Sequence, residues 1–503
     1  MRRGVVDNEQ GAGPRLTEGR WFLALATGLA AALAVGGYLA ASHWLYRIGF
    51  PLDDAWIHQT YARSLGLYGE WAYLPGQRSA GSTAPLWTAL LAAGYLLRLA
   101  PLAWATLLGW LLLWGCGLLG AQVFLHLVPE RREWALAAGL LLVLEWHLVW
   151  AAASGMETTL YALWVLAAIG MMLASRPHWM GLGVWIGAAA WVRPDAVTLL
   201  GPALLAAWAN GQDGKERLRA GLRLGLGALM LLLPYLAFNL WAGGEVWPGT
   251  FFAKQAEYAE MRQLPLLQRL AALGVLPLVG VGCLLLPGFL YCVARSAQER
   301  RWTVLGLAVW LAGFMALYAL RLPVTYQHGR YLIPAMPVYF LLGLAGMAAW
   351  YDPRAQRLWR RVAQKAWALA AACVLLWFLA LGGRAYALDT ALIESEMVDT
   401  ARWVAANTPP GSRVAAHDIG ALGYFGQRPL IDLAGLITPE VIPFIRDEQR
   451  LGQFLDEQQA DYLVTFPAWY PRLVEGRVVE YSGDQPYSMQ LGGEHMRVYR
   501  WQR

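Results

Sequence analysis

Residues 53 to 87 read DDAWIHQTYARSLGLYGEWAYLPGQRSAGSTAPLW and place two adjacent carboxylates directly after the first long apolar segment. Asp53 and Asp54 therefore stand where a membrane-length helix ends, and ionisable groups at such a position are costly unless they serve a function. A positioned carboxylate can take the proton of an attacking hydroxyl as a general base. His58 and Tyr61 follow Asp54 at steps of four and three, which is one face of an interfacial helix. That shared face favours Asp54 over Asp53 as the base. Tyr73, Gln77, Arg78, Ser82 and Thr83 come next, around a Pro75–Gly76 turn. The plainer alternative is a solvated loop that only ends a helix.

Further along, Glu157 in SGMETTLYALW opens an apolar helix, where a carboxylate also complements the helix dipole. Arg193-Pro194-Asp195 interrupts an apolar hairpin. Asp195 could neutralise Arg193, or the planar guanidinium could bind a phosphate. Lys254 in EVWPGTFFAKQ, and His328, Arg330 and Tyr331 in TYQHGRYLIPAMP, lie beside other apolar segments. Each basic residue alone reads as a membrane-edge anchor. Together with an acid pair, Arg193, Lys254 and Arg330 form a pocket that joins a base to cations.

That combination suits sugar transfer from a lipid phosphate. The carboxylate takes a proton from the acceptor hydroxyl as it attacks the anomeric carbon, and fixed cations stabilise the departing phosphate in a water-poor site. Asp53, Asp54 and Glu157 could also hold Mg²⁺ or Ca²⁺, which prefer oxygen ligands. The sequence itself requires no cofactor.

The elements that must carry these residues are membrane helices. Of 503 residues, 58% are hydrophobic and only 15% charged, with 27 Trp, a balance far from that of soluble domains. The net charge of +6 gathers in short loops, which reads as topology rather than nucleic-acid binding. The four cysteines lie in or beside apolar segments and form no disulfide or metal pattern. Apolar runs predict a mostly α polytopic bundle of about 11–13 helices. Basic loops around Lys215, Arg295 and Arg354 are placed in the cytoplasm by the positive-inside rule, together with an N-terminal tail over 1–20. The membrane domain is expected over 21–383, with its first outer loop at 44–85. One parity conflict follows: 86–127 resembles two helices but must cross an odd number of times, so one piece is expected to be re-entrant or interfacial.

Residues 384–503 change character, with strand-like runs such as RVAAHDIGAL, DYLVTF and MRVYRW between turns and amphipathic pieces. A small extracytoplasmic α/β domain is predicted there. Gly411, Gly420, Gly423, Gly426 and Gly435 are expected to mark turns. There is no P-loop and no internal repeat, which argues against an ATP-driven pump.

The segment DDAWIHQTYARSLGLYGEWAYLPGQRSAGSTAPLW resembles the first outer loop of bacterial GT-C-fold glycosyltransferases. It is most similar to the arabinofuranosyltransferase-like group that uses decaprenyl-phosphate-arabinose, and more remotely to protein O-mannosyltransferases and the lipid A aminoarabinose transferase. SGMETTLYALW, WVRPDAV, VWPGTFFAKQ, HGRYLIPAMP and HDIGALGYFGQRPLIDLAGL look like the same group, in the same order. The resemblance implies an inverting transferase at the external face of a bacterial plasma membrane. It implies Asp53 or Asp54 as base, basic residues holding polyprenyl phosphate, and Glu157 at a family acidic position. The acceptor would be an envelope glycan, lipid or protein. Two other classes compete with this reading. They are a flippase for a lipid-linked saccharide and a non-catalytic envelope-assembly subunit.

Overall fold

The computed structural model describes residues 13–501. Residues 1–12 of the expected tail lie outside them, and the first helix, Gly13–Leu45, begins within the rest of that tail. Six helices among the described residues are long and apolar enough to cross a bilayer: Gly19–Leu45 of the first helix, Pro101–Leu127, Gly214–Gly243, Trp302–Arg321, Tyr326–Trp350 and Leu358–Asn407. Two bent pairs add to them, Arg132–Leu144 with Trp146–Ala153 at 52° and Leu266–Leu278 with Gly282–Gln298 at 104°. Three shorter apolar helices, Pro85–Leu96, Thr158–Leu173 and Trp179–Ala189, bring the apolar segments to eleven. Leu25, Leu29, Leu33, Leu226, Leu369 and Trp377 are exposed on the long helices, as faces turned to lipid require. Small residues let the backbones close together: a Cβ on Gly183 or Gly227 would strike the facing helix, and so would one on Gly288 or Gly346.

The bundle has two chemically distinct ends. Arg301 donates to the Leu127 carbonyl at 2.8 Å, Arg131 bonds the Tyr351 carbonyl, and Arg217 stacks over Trp208, which itself meets Trp302. These contacts gather the basic loops at one end. The acid pair, Glu157, Arg193, Lys254 and Arg330 lie at the other. Pro85–Leu96 bears on the parity conflict. Its 12 residues reach only about 18 Å, too short to span, and Trp87 near its start bonds the Gly155 carbonyl at 2.9 Å at the acidic end. Trp104, at the start of Pro101–Leu127, bonds the Leu90 carbonyl at 2.8 Å. Pro85–Leu96 thus stays near that end, packed on the Asp53–Tyr68 helix, and of the two helices only Pro101–Leu127 is long enough to cross.

The change in composition at 384 is not a break in the backbone. Leu358–Leu392 runs through a π-helical turn, Ile393–Val398, into Asp399–Asn407. The turn places Glu394 against Arg47 at 2.7 Å and Glu396 against His495 at 2.9 Å and the Met496 amide at 2.8 Å. It ties the last membrane helix to both the first helix end and the sheet.

Two short strands, β1 (Ala72–Leu74) and β2 (Gln77–Arg78), pair as a hairpin in the first outer loop. A second sheet holds β3 (Val414–Ala416), β4 (Leu430–Asp432), β5 (Tyr462–Thr465), β6 (Val479–Ser482) and β7 (Arg497–Arg500) in the order β4-β3-β5-β7-β6. β4, β3 and β5 are parallel, and β7 runs antiparallel to β5 and β6. Alternate side chains enter different cores, as the period of two requires. Val414, Ala416, Val464 and Val498 join the membrane-side core, whereas Ala415, Leu463 and Tyr499 pack with Leu451, Phe454 and Leu455 of the Glu448–Glu457 helix. The parallel strands β3, β4 and β5 are buried on both faces, which explains their continuous apolar runs, whereas the edge strand β6 is largely exposed. From β3 the chain passes to β4 on one side and then to β5 on the other. A crevice at the carboxyl ends of β3 and β5 follows from that reversal, the place where open α/β sheets bind ligands.

Candidate functional site

The acid pair opens the Asp53–Tyr68 helix, with both carboxylates in its first turn, where they complement the dipole, and Gly69 at φ 71° closing it. The two acids have different surroundings. Asp53 is buried and accepts hydrogen bonds from the Gly420 and Ala421 amides at 2.6 and 2.7 Å. Burial pushes its carboxyl up to about 6, although those two amides oppose the rise. Gly420 is required by this docking, because a Cβ there would collide with the Asp53 backbone carbonyl; a Cβ on Gly423 would collide with the Tyr73 hydroxyl. Gly411 and Gly435 do lie at turns, but Gly420, Gly423 and Gly426 belong to one helical stretch, where close approach rather than chain reversal calls for glycine.

Asp54 points the other way, its side chain 29% exposed. Its Oδ2 accepts from Arg330 Nη2 at 2.5 Å and lies 3.5 Å from Lys254 Nζ. Burial works to raise this carboxyl, but the charges of Lys254 and Arg330 outweigh it and hold it below the ordinary carboxylate range. The Tyr331 hydroxyl accepts from both cations at 3.0 Å. Arg330 Nε and Nη1 are buried with no hydrogen-bond partner among the described residues. Unpaired buried guanidinium donors are expensive.

Glu157 sits at the N-cap of Thr158–Leu173 without capping it. Its carboxylate lies 3.5 Å from both His58 Nε2 and Arg193 Nη1. Burial opposes its ionisation, yet His58 and Arg193 bring it down to about 2. Arg193 also reaches Asp195 at 3.1 and 3.2 Å and the Tyr318 hydroxyl at 2.7 Å. Its charge is thus shared between two carboxylates. Of the two sequence readings of Arg193, neutralisation by Asp195 describes the geometry, and Arg330 and Lys254 are the cations nearest Asp54.

Two further residues expected in the pocket stand apart. Tyr61 is fully buried, its hydroxyl bound to Ser79 at 2.5 Å and the Gly81 amide at 2.9 Å. It faces the inside of the first outer loop because Tyr73 and Trp71 pack on it. Arg78 stacks on the Trp241 ring at 4.7 Å, out on the exposed hairpin. Their corrected role is to hold the loop. The face shared with Asp54 extends to His58 and not to Tyr61.

The sequence reading missed His417, Asp418, Glu257 and Tyr318. His417 and Asp418 follow β3, at the crevice. His417 Nε2 lies 3.3 Å from Glu257, and Nδ1 lies 2.8 Å from the Tyr470 hydroxyl. Burial and the nearby charge of Asp53 raise the Asp418 carboxyl to about 8. The signal was the polar pair His417-Asp418 directly after an apolar strand. Tyr318 had no signal, being one aromatic in an apolar helix. Among the described residues no group of three His, Cys, Asp or Glu side chains is placed to hold a metal. Asp53 turns to amides, Asp54 to Arg330, and Glu157 to His58 and Arg193.

Two cavities meet at Asp54. One, of about 520 Å³, is walled by membrane-helix residues such as Leu317 and Leu322, with Trp247, and reaches His58, Glu157, Arg193, Lys254, Arg330 and Tyr331. The second, of about 710 Å³, has walls from the sheet domain, including His417, Asp418, Phe466 and Trp469. Asp54, Ile57, Lys254, Arg330 and Leu436 line both.

Solved structures share this fold. The archaeal oligosaccharyltransferase AglB from Archaeoglobus fulgidus, in complex with an inhibitory peptide and a dolichol-phosphate, superposes with TM-score 0.62 at 12% identity, over 90% of this chain and 70% of that one. The fold is GT-C-like. ArnT from Cupriavidus metallidurans, bound to undecaprenyl phosphate, gives TM-score 0.56 at 16% identity, over 94% of this chain and 97% of that one. Residues 387–499 match the sequence profile of a family described as "Domain of unknown function (DUF8728)". No curated protein matches the chain by sequence.

Proposed function

We propose that the protein is a membrane glycosyltransferase that moves a sugar from a polyprenyl-phosphate donor to a hydroxyl of a cell-envelope acceptor, with inversion. The observation that carries this reading is the position of Asp54 between two cavities, beside an arginine with two unpaired donors. The membrane-side cavity suits a lipid phosphate, its phosphate on Arg330 and Lys254 and its chain along the apolar helices. The sheet-side cavity suits the acceptor. A lipid phosphate bound by ArnT and a dolichol-phosphate bound by AglB on the same fold support the donor class.

In the reaction the acceptor oxygen forms a bond to the anomeric carbon, and the bond from that carbon to the phosphate oxygen breaks. The hydroxyl proton passes to Asp54, and the polyprenyl phosphate leaves as an anion held by Arg330 and Lys254. Asp54 paired with two cations is a weak base. A phosphate that draws those cations away raises its proton affinity, so donor binding itself prepares the base. Asp53 holds the helix start against the sheet domain. His58 and Glu157 sit beside the donor sugar, and Arg193 orients Glu157. The donor sugar is proposed to be arabinofuranose-like, from the resemblance of the first outer loop. The site end is proposed to face the outside of the cell, opposite the basic loops.

The test is sugar transfer from synthetic polyprenyl-phosphate sugars by the protein in vesicles, with Asp53→Asn and Asp54→Asn made singly. Transfer lost with Asp54→Asn supports the reading. Full activity in both variants would overturn Asp54 as the base, and translocation of lipid-linked saccharide without transfer would overturn the transferase reading.

A further inference from the structure

A third cavity, of about 430 Å³, opens off the sheet-side one, and Tyr326, Gln327, Leu392 and Ile393 line both. Its volume falls in the range of about 300–1,000 Å³ usual for small-ligand sites. The bend between Arg132–Leu144 and Trp146–Ala153 builds its far wall. Glu145 caps the second helix, accepting from the His147 and Leu148 amides at 3.0 and 3.2 Å, and holds His147 Nδ1 at 2.8 Å. That contact assigns the ring proton to Nδ1 and leaves Nε2 as an acceptor. Among the described residues Nε2 has no partner, and neither do Gln327 Oε1 and Trp146 Nε1–H, all three buried behind the cavity wall. His147, Gln327 and Trp146 all line this cavity, and His147 is 1% exposed.

The opposite wall is under backbone strain. Gln327 and His328 both hold positive φ, 54° and 58°, which side chains other than glycine's seldom adopt. Such strain persists where the surroundings fix a side chain for a purpose. Here it sets His328 Nε2 on Asp389 at 2.7 Å, between the rings of Trp146 and Trp150. Asp389 also accepts from Trp150 at 2.9 Å. Both acids, Glu145 and Asp389, are thus already engaged by histidines and would repel an anion.

We infer that this cavity binds a remote sugar unit of the acceptor, so that the acceptor is a neutral oligosaccharide running from Asp54 to Trp146. The partly exposed His328–Asp389 pair and the rings of Trp146 and Tyr326 give this cavity polar groups beside aromatic walls, which match the hydroxyl groups and apolar faces of a sugar. The inference rests on the transferase reading for the role of the sheet-side cavity.

Full-length protein in lipid nanodiscs, titrated calorimetrically with neutral oligosaccharides released from the producer's cell envelope and with the monosaccharides of the same material, tests it. Oligosaccharides are expected to bind at least about tenfold more tightly than monosaccharides, a difference of about 1.4 kcal/mol. Gln327→Gly is expected to abolish that gain while raising the thermal midpoint, because glycine adopts this φ without strain. The variant is chosen because it relieves the fold rather than loading it. Equal affinity for both sizes in the wild type, or a full gain retained in Gln327→Gly, would overturn the inference. Asp54→Asn separates the two claims. It should keep the length-dependent binding and lose transfer; if the wild type itself binds with length dependence but transfers no sugar, the transferase reading fails while the binding result stands.

Discussion

Arg330 donates to Asp54 at 2.5 Å while two of its other N–H groups, Nε and Nη1, have no partner among the described residues. One guanidinium therefore touches the proposed base and, with Lys254, lines the cavity proposed for the leaving group. The pairing makes base strength depend on what else the cation holds.

Arg330→Lys should keep a positive charge but lose the fork that serves two anions at once. Donor KM is expected to rise about tenfold or more, with a smaller change in kcat, since one hydrogen bond to a charged group contributes about 1.5–3 kcal/mol. Steady-state transfer at varied donor concentration reads this. Unchanged KM would remove Arg330 from the phosphate site.

Asp53→Asn should act on stability more than on chemistry. The asparagine offers one acceptor oxygen to the two amides of Gly420 and Ala421, a loss of about 1.5–3 kcal/mol. Gly420→Ala attacks the same contact from the other side and should cost about 1–3 kcal/mol by overpacking. Both variants are expected to lower the thermal midpoint and to leave donor affinity in place. A wild-type midpoint in both would contradict the docking role.

The acid pair and its order along the chain were legible because two carboxylates at a helix end have few structural excuses. The helical bundle was legible from apolar length, and the parity of the basic loops pointed to an irregular piece somewhere in 86–127 without saying which. Contacts set by the sheet domain were not legible. Asp53 and Asp54 are neighbours of one type, and only the Gly420–Ala421 amides, more than 360 positions away, distinguish their roles. Tyr61 shows the same limit: helical spacing gave its register with Asp54, but Trp71 and Tyr73 took its face.

Stability should fall as pH rises. Asp418 is raised to about 8 and Asp53 to about 6 from an ordinary 3.8, so between about 4 and 8 the folded state holds more protons than the unfolded one. His417 adds to the trend. Burial lowers its affinity for a proton, but Glu257 outweighs that and raises it, so its contribution is also lost as pH rises. Thermal midpoints in detergent across this window should decline, and Asp418→Asn should flatten much of the decline. A midpoint that rises with pH would contradict these assignments.

Asp54→Asn carries the most direct test, through donor affinity and turnover measured on the same preparation. Removing the carboxylate frees Arg330 and Lys254, so the variant should bind polyprenyl phosphate at least as tightly as the wild type. Its turnover should fall by about a hundredfold or more, the scale of a lost general base. Wild-type turnover in Asp54→Asn, or loss of lipid-phosphate binding along with turnover, would contradict the account.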